Sequence, residues 1–281
     1  MYPTLSANKT WGKSPFHYYN FAGKSVDWVY EPEERDQYYY HIGKSVSKQK
    51  MIQLGWTDKN VKYSFNNESY RSDDFENVKV ITAGCSQTFG YGVDESSLWT
   101  KKLCDWYGTT HVNLGVPGSD WVAVGKRLSW WIPKLNPEIV CIYAPPTQRF
   151  SWWAIQNDTE YATSRYGEKA ILECTIDDYD SNSDKPRKYP LLLDILDPEN
   201  IDYIRNSSME YIKNLCAHYN TKLFIVRRDD EGSTMKLQVR DDLARDLFHY
   251  GRKTHTNIFK RMKEKIENND LFSGNNELLK R

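Results

Sequence analysis

Three side chains in this 281-residue chain have the types and spacing to make an activated nucleophile. Ser86 stands in Gly84-Cys85-Ser86, directly after an apolar, β-branched run. A serine hydroxyl is inert until a base removes its proton and dipoles stabilise the oxyanion that follows. At a strand-to-helix turn, backbone N–H groups point outward and can supply those dipoles. On the tripeptide alone, an ordinary turn serine capping the next segment explains the position equally well. The base must come from one of six histidines, at 17, 41, 111, 218, 249 and 255. His17 and His41 lie in the N-terminal region, His111 opens a strand at its amino end, and His218 ends a helix. His249 lies in Ala244–Gly251, a loop before the last helix, with Asp246 three residues earlier. A carboxylate at that spacing can fold back onto the imidazole, fix its tautomer and stabilise its charged form. In isolation, Asp-x-x-His also describes a solvated loop with an incidental ion pair.

Other residues compete for these roles. Cys85 is a rival nucleophile, because a thiolate needs less activation. Adjacent residues at a strand end point to opposite sides, however, so only one of Cys85 and Ser86 can face the base. His255 falls in the first turn of the last helix, where a surface role is the plainer expectation. Arg149 has the charge to bind a carboxylate or phosphate beside the nucleophile, or it is an ordinary surface arginine. No His, Asp, Glu or Cys cluster shows metal-ligand spacing, so neither metal nor cofactor is expected.

The elements that must position Ser86 and His249 can be followed along the chain. Residues 1–77 are rich in Tyr and Trp but lack long apolar runs, and read as an irregular or short-stranded extension lying on the main domain. Its aromatics serve either as packing against the core or as a stacking surface for a sugar. From residue 78 the pattern is regular. Strands are expected at 78–83, 110–114, 138–144 and 223–226, and helices at about 97–107, 121–131, 201–219 and 254–267. Residues 150–200 break this rhythm and read as an insertion near the mouth of any site. Residues 268–281 form a polar tail, expected to be loose. Alternating strands and helices imply a mainly parallel sheet covered on both faces. Ligands of such sheets bind beyond the carboxyl ends of the strands. Ser86, Gly115 and Pro145 to Arg149 would all lie at that edge.

The combination of blocks resembles the SGNH (GDSL-like) hydrolase family. Gly84-Cys85-Ser86-Gln87-Thr88-Phe89-Gly90-Tyr91-Gly92 looks like its first block, Asn113-Leu114-Gly115-Val116-Pro117-Gly118 like its second, and Asp246-Leu247-Phe248-His249 like its last. The match spans about 78–267. The resemblance implies a flavodoxin-like three-layer α/β/α sandwich. It implies Ser86 as nucleophile, His249 as base, Asp246 as orienting carboxylate, and the Ser86 and Gly115 N–H groups as oxyanion donors. Two positions depart from the family pattern. Cys85 replaces the usual Asp. The third block, usually Gly-x-Asn-Asp, corresponds to Ala144-Pro145-Pro146-Thr147-Gln148-Arg149, which has no Asn to complete the oxyanion hole. Thr147 or Gln148 is the available substitute. Loss of one such donor costs about 2.7–4 kcal/mol in the transition state.

Composition narrows the partners. Thirty-eight basic residues balance 38 acidic ones, which gives no electrostatic reason for nucleic acid or an anionic membrane as partner. No apolar run reaches membrane-span length, and the polar N-terminus does not read as a signal peptide. Five scattered cysteines read as reduced thiols. The expected setting is cytoplasmic or virion-associated, in the style of tailed-phage and marine bacterial proteins. The sequence leaves oligomeric state open. Acyl-ester hydrolysis through an acyl-serine is the leading expectation, with a carbohydrate O-acyl (O-acetyl) ester as favoured small-molecule or glycan substrate. A catalytically weak or inactive binding protein on the same fold is the rival of another class. Acyl transfer with the same triad is the third.

Overall fold

The computed structural model describes residues 22–28, 61–117, 119–146, 149–153, 171–175, 198–227, 242–244 and 249–272. Two short strands from the N-terminal region, β1 (Ser25–Trp28) and β2 (Val61–Ser64), pair antiparallel with Ser25 opposite Ser64. The core then begins with β3 (Val80–Gly84), followed at once by a four-residue helix, α1 (Ser86–Phe89). A 3-10 turn (Glu95–Ser97) leads into α2 (Trp99–Tyr107), and β4 (Asn113–Gly115) into α3 (Trp121–Leu135). Next come β5 (Ile139–Tyr143), β6 (Arg149–Trp153), β7 (Ile171–Thr175), α4 (Pro198–His218), β8 (Lys222–Val226) and α5 (Arg252–Glu267).

Four of these strands make one parallel sheet in the order β4-β3-β5-β8. Counted within this sheet, the order is 2-1-3-4, the doubly wound pattern whose switch point lies between the first and third strands. Strand residues alternate between the two faces. Ile81, Ala83, Val140 and Ile142 pack in one cluster with Val124 and Leu128 of α3 and Met209 and Ile212 of α4. Val80, Cys141, Tyr143 and Phe224 pack in the other with Trp99 and Leu103 of α2 and Ile258 and Met262 of α5. The result is the expected three-layer α/β/α sandwich with helices on both faces.

Several local features sharpen these expectations. β6 and β7 form an antiparallel pair within the stretch expected to be an insertion. Their β-rich pieces, Arg-Phe-Ser-Trp-Trp and Ile-Leu-Glu-Cys-Thr, are too far apart in sequence for a turn signal to join them. The start of the tail is docked rather than loose. Phe272 is buried, and its N–H donates to the Leu223 carbonyl at 2.9 Å. From the described part of the extension, Tyr63 and Phe65 pack on Phe89, while Tyr70 and Phe75 meet Trp131 of α3. These rings therefore glue the extension to the core. Cys85, Cys104, Cys141 and Cys216 are buried free thiols, and burial pushes the Cys104 and Cys216 thiols up to about 12. Among the described residues no helix is long and apolar enough to cross a membrane.

Candidate active site

Ser86 is the first residue of α1, at the carboxyl end of β3, and is only 4 % exposed. Gly84 makes this turn possible. Its φ is +152°, and a Cβ there would lie 2.2 Å from Thr88 Oγ1 and 2.7 Å from the Tyr143 carbonyl. Gly115 does the same from β4, where a Cβ would lie 2.3 Å from the Phe89 nitrogen. Two missing methyl groups thus let α1 sit directly on the end of the sheet. The Thr88 and Phe89 N–H groups both donate to the Cys85 carbonyl. The Ser86 N–H, at the head of the helix, has no such partner among the described residues. Cys85 is extended and buried.

His249 reaches this turn through its neighbours. The Tyr250 N–H donates to Gln87 Oε1 at 3.2 Å, so the residues adjacent to Ser86 and His249 are directly joined. The His249 ring is half-buried and stacks on Tyr91, with centroids 5.0 Å apart and planes at 26°. Ser86 Oγ makes no hydrogen bond among the described residues. Hydrogen bonds between nucleophile and base are commonly loose without substrate and tighten when it binds. Asp246, Thr147 and Gln148 lie outside the described residues. Arg149 is the first residue of β6, and its side chain lies outside them too.

The Gly115 N–H, the other expected oxyanion donor, is engaged with a side chain in this structure. The Gly115 N–H donates to Asn113 Oδ1 at 2.9 Å, while Asn113 Nδ2 donates to the Thr88 carbonyl at 2.9 Å. The Asn113 amide thereby clamps α1 to β4 and uses the Gly115 donor for that purpose. This glycine also has a close-packing role, since a Cβ there would meet the Phe89 nitrogen. The second glycine of that block, Gly118, lies outside the described residues.

Two buried arginines, which carry no motif signal, hold the loops around Ser86. Arg71 is 1 % exposed and donates to the carbonyls of Phe89 (3.1 Å), Gly90 (2.5 Å) and Val93 (2.6 Å). Its guanidinium lies 4.2 Å from the centre of the Tyr63 ring, whose hydroxyl accepts the Gly92 N–H at 2.7 Å. Burial pulls Arg71 down to about 10, against the opposing pull of Tyr63, Glu95 and Asp94, so it stays charged at neutral pH. Together Arg71 and Tyr63 hold the loop that presents Tyr91 to His249. Arg127, from α3, donates to the Gly84 carbonyl at 3.2 Å and to Ser119 Oγ at 2.8 Å.

His255 is buried, not on the surface. Its Nδ1 accepts the Trp99 N–H at 3.2 Å. Burial, reinforced by Arg71, Lys102 and His249, pushes its pKa down to about 3. It is therefore neutral at the pH where a general base works, and it acts as an acceptor for the head of α2. The absence of a metal-type cluster also needs revision: folding brings Asp73, Glu95 and His111 within ligand reach of one another.

No protein-family model matches this chain, and no curated protein sequence does. Solved structures with a similar fold include the psychrotrophic esterase EstA from Pseudoalteromonas sp., at 12 % identity and a TM-score of 0.38, covering 69 % of this chain and 98 % of that one. They also include a family 3 carbohydrate esterase of Clostridium thermocellum, at 15 % identity and 0.34, covering 68 % and 96 %. AlinE4, an SGNH-hydrolase family esterase, aligns at 15 % identity and 0.30, covering 68 % and 74 %. At these similarities, what the site can do rests on its own residues.

Two predictions follow from these contacts. Arg71→Lys replaces three directed donors with one point charge, and is expected to lower stability by about 2–3 kcal/mol. Tyr63→Phe is expected to cost about 1 kcal/mol. Urea denaturation measures both, and losses below about 0.5 kcal/mol for each would contradict the clamp. His255 has a folded pKa below its unfolded one, so its contribution is complete above about pH 6.5 and is lost as pH falls toward 3. Wild type should lose about 1.4 kcal/mol per pH unit more than His255→Asn between pH 6 and 4. Parallel stability curves would show that His255 is not held neutral.

Proposed function

We propose that this chain is a serine ester hydrolase with Ser86 as nucleophile, His249 as general base and Asp246 as the carboxylate that orients it. The observation that carries this reading is the Tyr250 N–H to Gln87 Oε1 hydrogen bond, which ties the His249 segment to the residue after Ser86. Ser86 also heads a helix at the switch-point edge, where parallel α/β sheets bind ligands.

In the proposed reaction, Ser86 Oγ attacks the ester carbonyl carbon as its proton passes to His249. The carbonyl oxygen becomes an oxyanion, and the Ser86 N–H is its proposed backbone donor. Collapse of this intermediate breaks the bond to the alcohol, which leaves with the proton from His249. Water then repeats the sequence on the acyl-serine, releasing the acid and restoring the hydroxyl. Thr147 and Gln148 remain the proposed side-chain donors in place of the absent Asn. For the substrate we propose carbohydrate O-acyl esters. β6, with Trp152 and Trp153 in its backbone run, begins six residues after the carboxyl end of β5, and its aromatics are the proposed stacking surface for a sugar. Arg149, its first residue, is the proposed contact for a polar substrate group.

The Gly115 donor spent on Asn113 favours the rival reading, a weak or inactive protein on this fold. Turnover of p-nitrophenyl acetate near pH 7.5 separates the two. Measurable wild-type turnover is expected, falling by about 10³-fold or more in Ser86→Ala and His249→Ala. Wild-type turnover no faster than buffer supports the inactive reading, and full activity in Ser86→Ala eliminates this nucleophile. Partition of product toward an added alcohol would place the chain among acyl transferases with the same chemistry.

A further inference from the structure

Away from Ser86, three segments distant in sequence bring one ligand atom each to a common point. Asp73 belongs to the loop before β3, Glu95 opens the 3-10 turn before α2, and His111 precedes β4. A carboxylate oxygen of Asp73, one of Glu95 and a ring nitrogen of His111 all lie within 4.8 Å of one another. His111 is fully buried and its ring is oriented by Thr100, whose Oγ1 lies 2.9 Å from Nε2. The other nitrogen, Nδ1, is buried and has no hydrogen-bond partner among the described residues. It faces Glu95 Oε1 at 3.5 Å, an ion-pair contact at the outer limit of a hydrogen bond, and this contact with His111 holds the Glu95 carboxyl below its ordinary range. A buried ring nitrogen without a hydrogen-bond partner is costly, and here it faces the Glu95 carboxylate beside Asp73. Asp73 is anchored to the same residue, since its N–H donates to the His111 carbonyl at 3.1 Å and its Oδ2 faces the His111 N–H at 3.4 Å. The neighbouring Lys101 has its ammonium on Asp105 at 2.6 Å.

We propose that Asp73, Glu95 and His111 Nδ1 bind a divalent transition-metal ion, with Zn²⁺ the best fit. Zn²⁺ takes imidazole nitrogen and carboxylate oxygen at about 2.0–2.2 Å. Three ligands around such an ion lie roughly 3–4 Å apart, so the site needs only a small contraction. Imidazole selects against Mg²⁺ and Ca²⁺, which prefer all-oxygen shells. Thr100 on Nε2 is the outer partner that orients a ligating ring. Asp73 is exposed and Glu95 half-exposed, which leaves one side open for entry and for a water as fourth ligand. The ion would pin the loop before β3 to the start of α2 and the entry to β4. It is thus a structural clip on the scaffold, outside the proposed ester chemistry.

The test is calorimetric titration of the full-length protein with ZnCl₂ at pH 7.5, with thermal unfolding in parallel. One Zn²⁺ per chain is expected, with a rise in Tm of several degrees and none with MgCl₂ or CaCl₂. The double variant Asp73→Asn/Glu95→Gln, which leaves the buried histidine in place, should fold and should bind at least 30-fold more weakly. Co²⁺ should give visible absorption in wild type that the double variant lacks. No heat and no Tm shift at 100 µM Zn²⁺ would overturn the proposal, as would equal binding by wild type and variant.

Discussion

Everything proposed for Ser86 depends on a four-residue helix standing on the end of a parallel sheet. α1 can approach that closely only because Gly84 and Gly115 carry no Cβ. A side chain at either position would meet backbone atoms, which cannot yield as a flexible side-chain tip can. With the helix in place, Asn113 clamps it to β4 through both ends of its amide. The same contact spends the Gly115 N–H, so tight packing and oxyanion donation compete for one hydrogen. Packing holds it in this structure.

The surrounding loops are fixed by charge where no apolar core is available. Arg71 and Arg127 are both almost fully buried, and each donates to backbone carbonyls of loops flanking the nucleophile. Turn carbonyls have no ladder to join, and a buried one without a partner is costly. A guanidinium answers several at once with a rigid fork, which is why arginine rather than lysine fits here. Arg71 comes from outside the core, so the described end of the extension takes part in building the site.

Much of this could be read from sequence, for a physical reason. β3, β5 and β8 are buried on both faces and appear as continuous apolar, β-branched runs, while α3 and α5 show their apolar stripe at helical spacing. Ser86 and His249 stood out because few serines follow a strand and a glycine, and few histidines have a carboxylate three residues away. What was hidden involves long-range contact. Gln87 meets Tyr250 across 163 residues, and Asp73 meets His111 across 38, so no local spacing announces either pair. His255 was misread for a related reason. Its neighbours in sequence are polar, and only the packing of α5 on α2 buries it.

The central claim is that Ser86 is an activated nucleophile, and covalent capture tests it most directly. Wild-type protein treated with a fluorophosphonate at pH 7.5 should gain the mass of a single phosphonyl group. Peptide mapping should place that group on Ser86, and Ser86→Ala should gain nothing. An unchanged wild-type mass, or a label on another residue such as Cys85, would contradict the account.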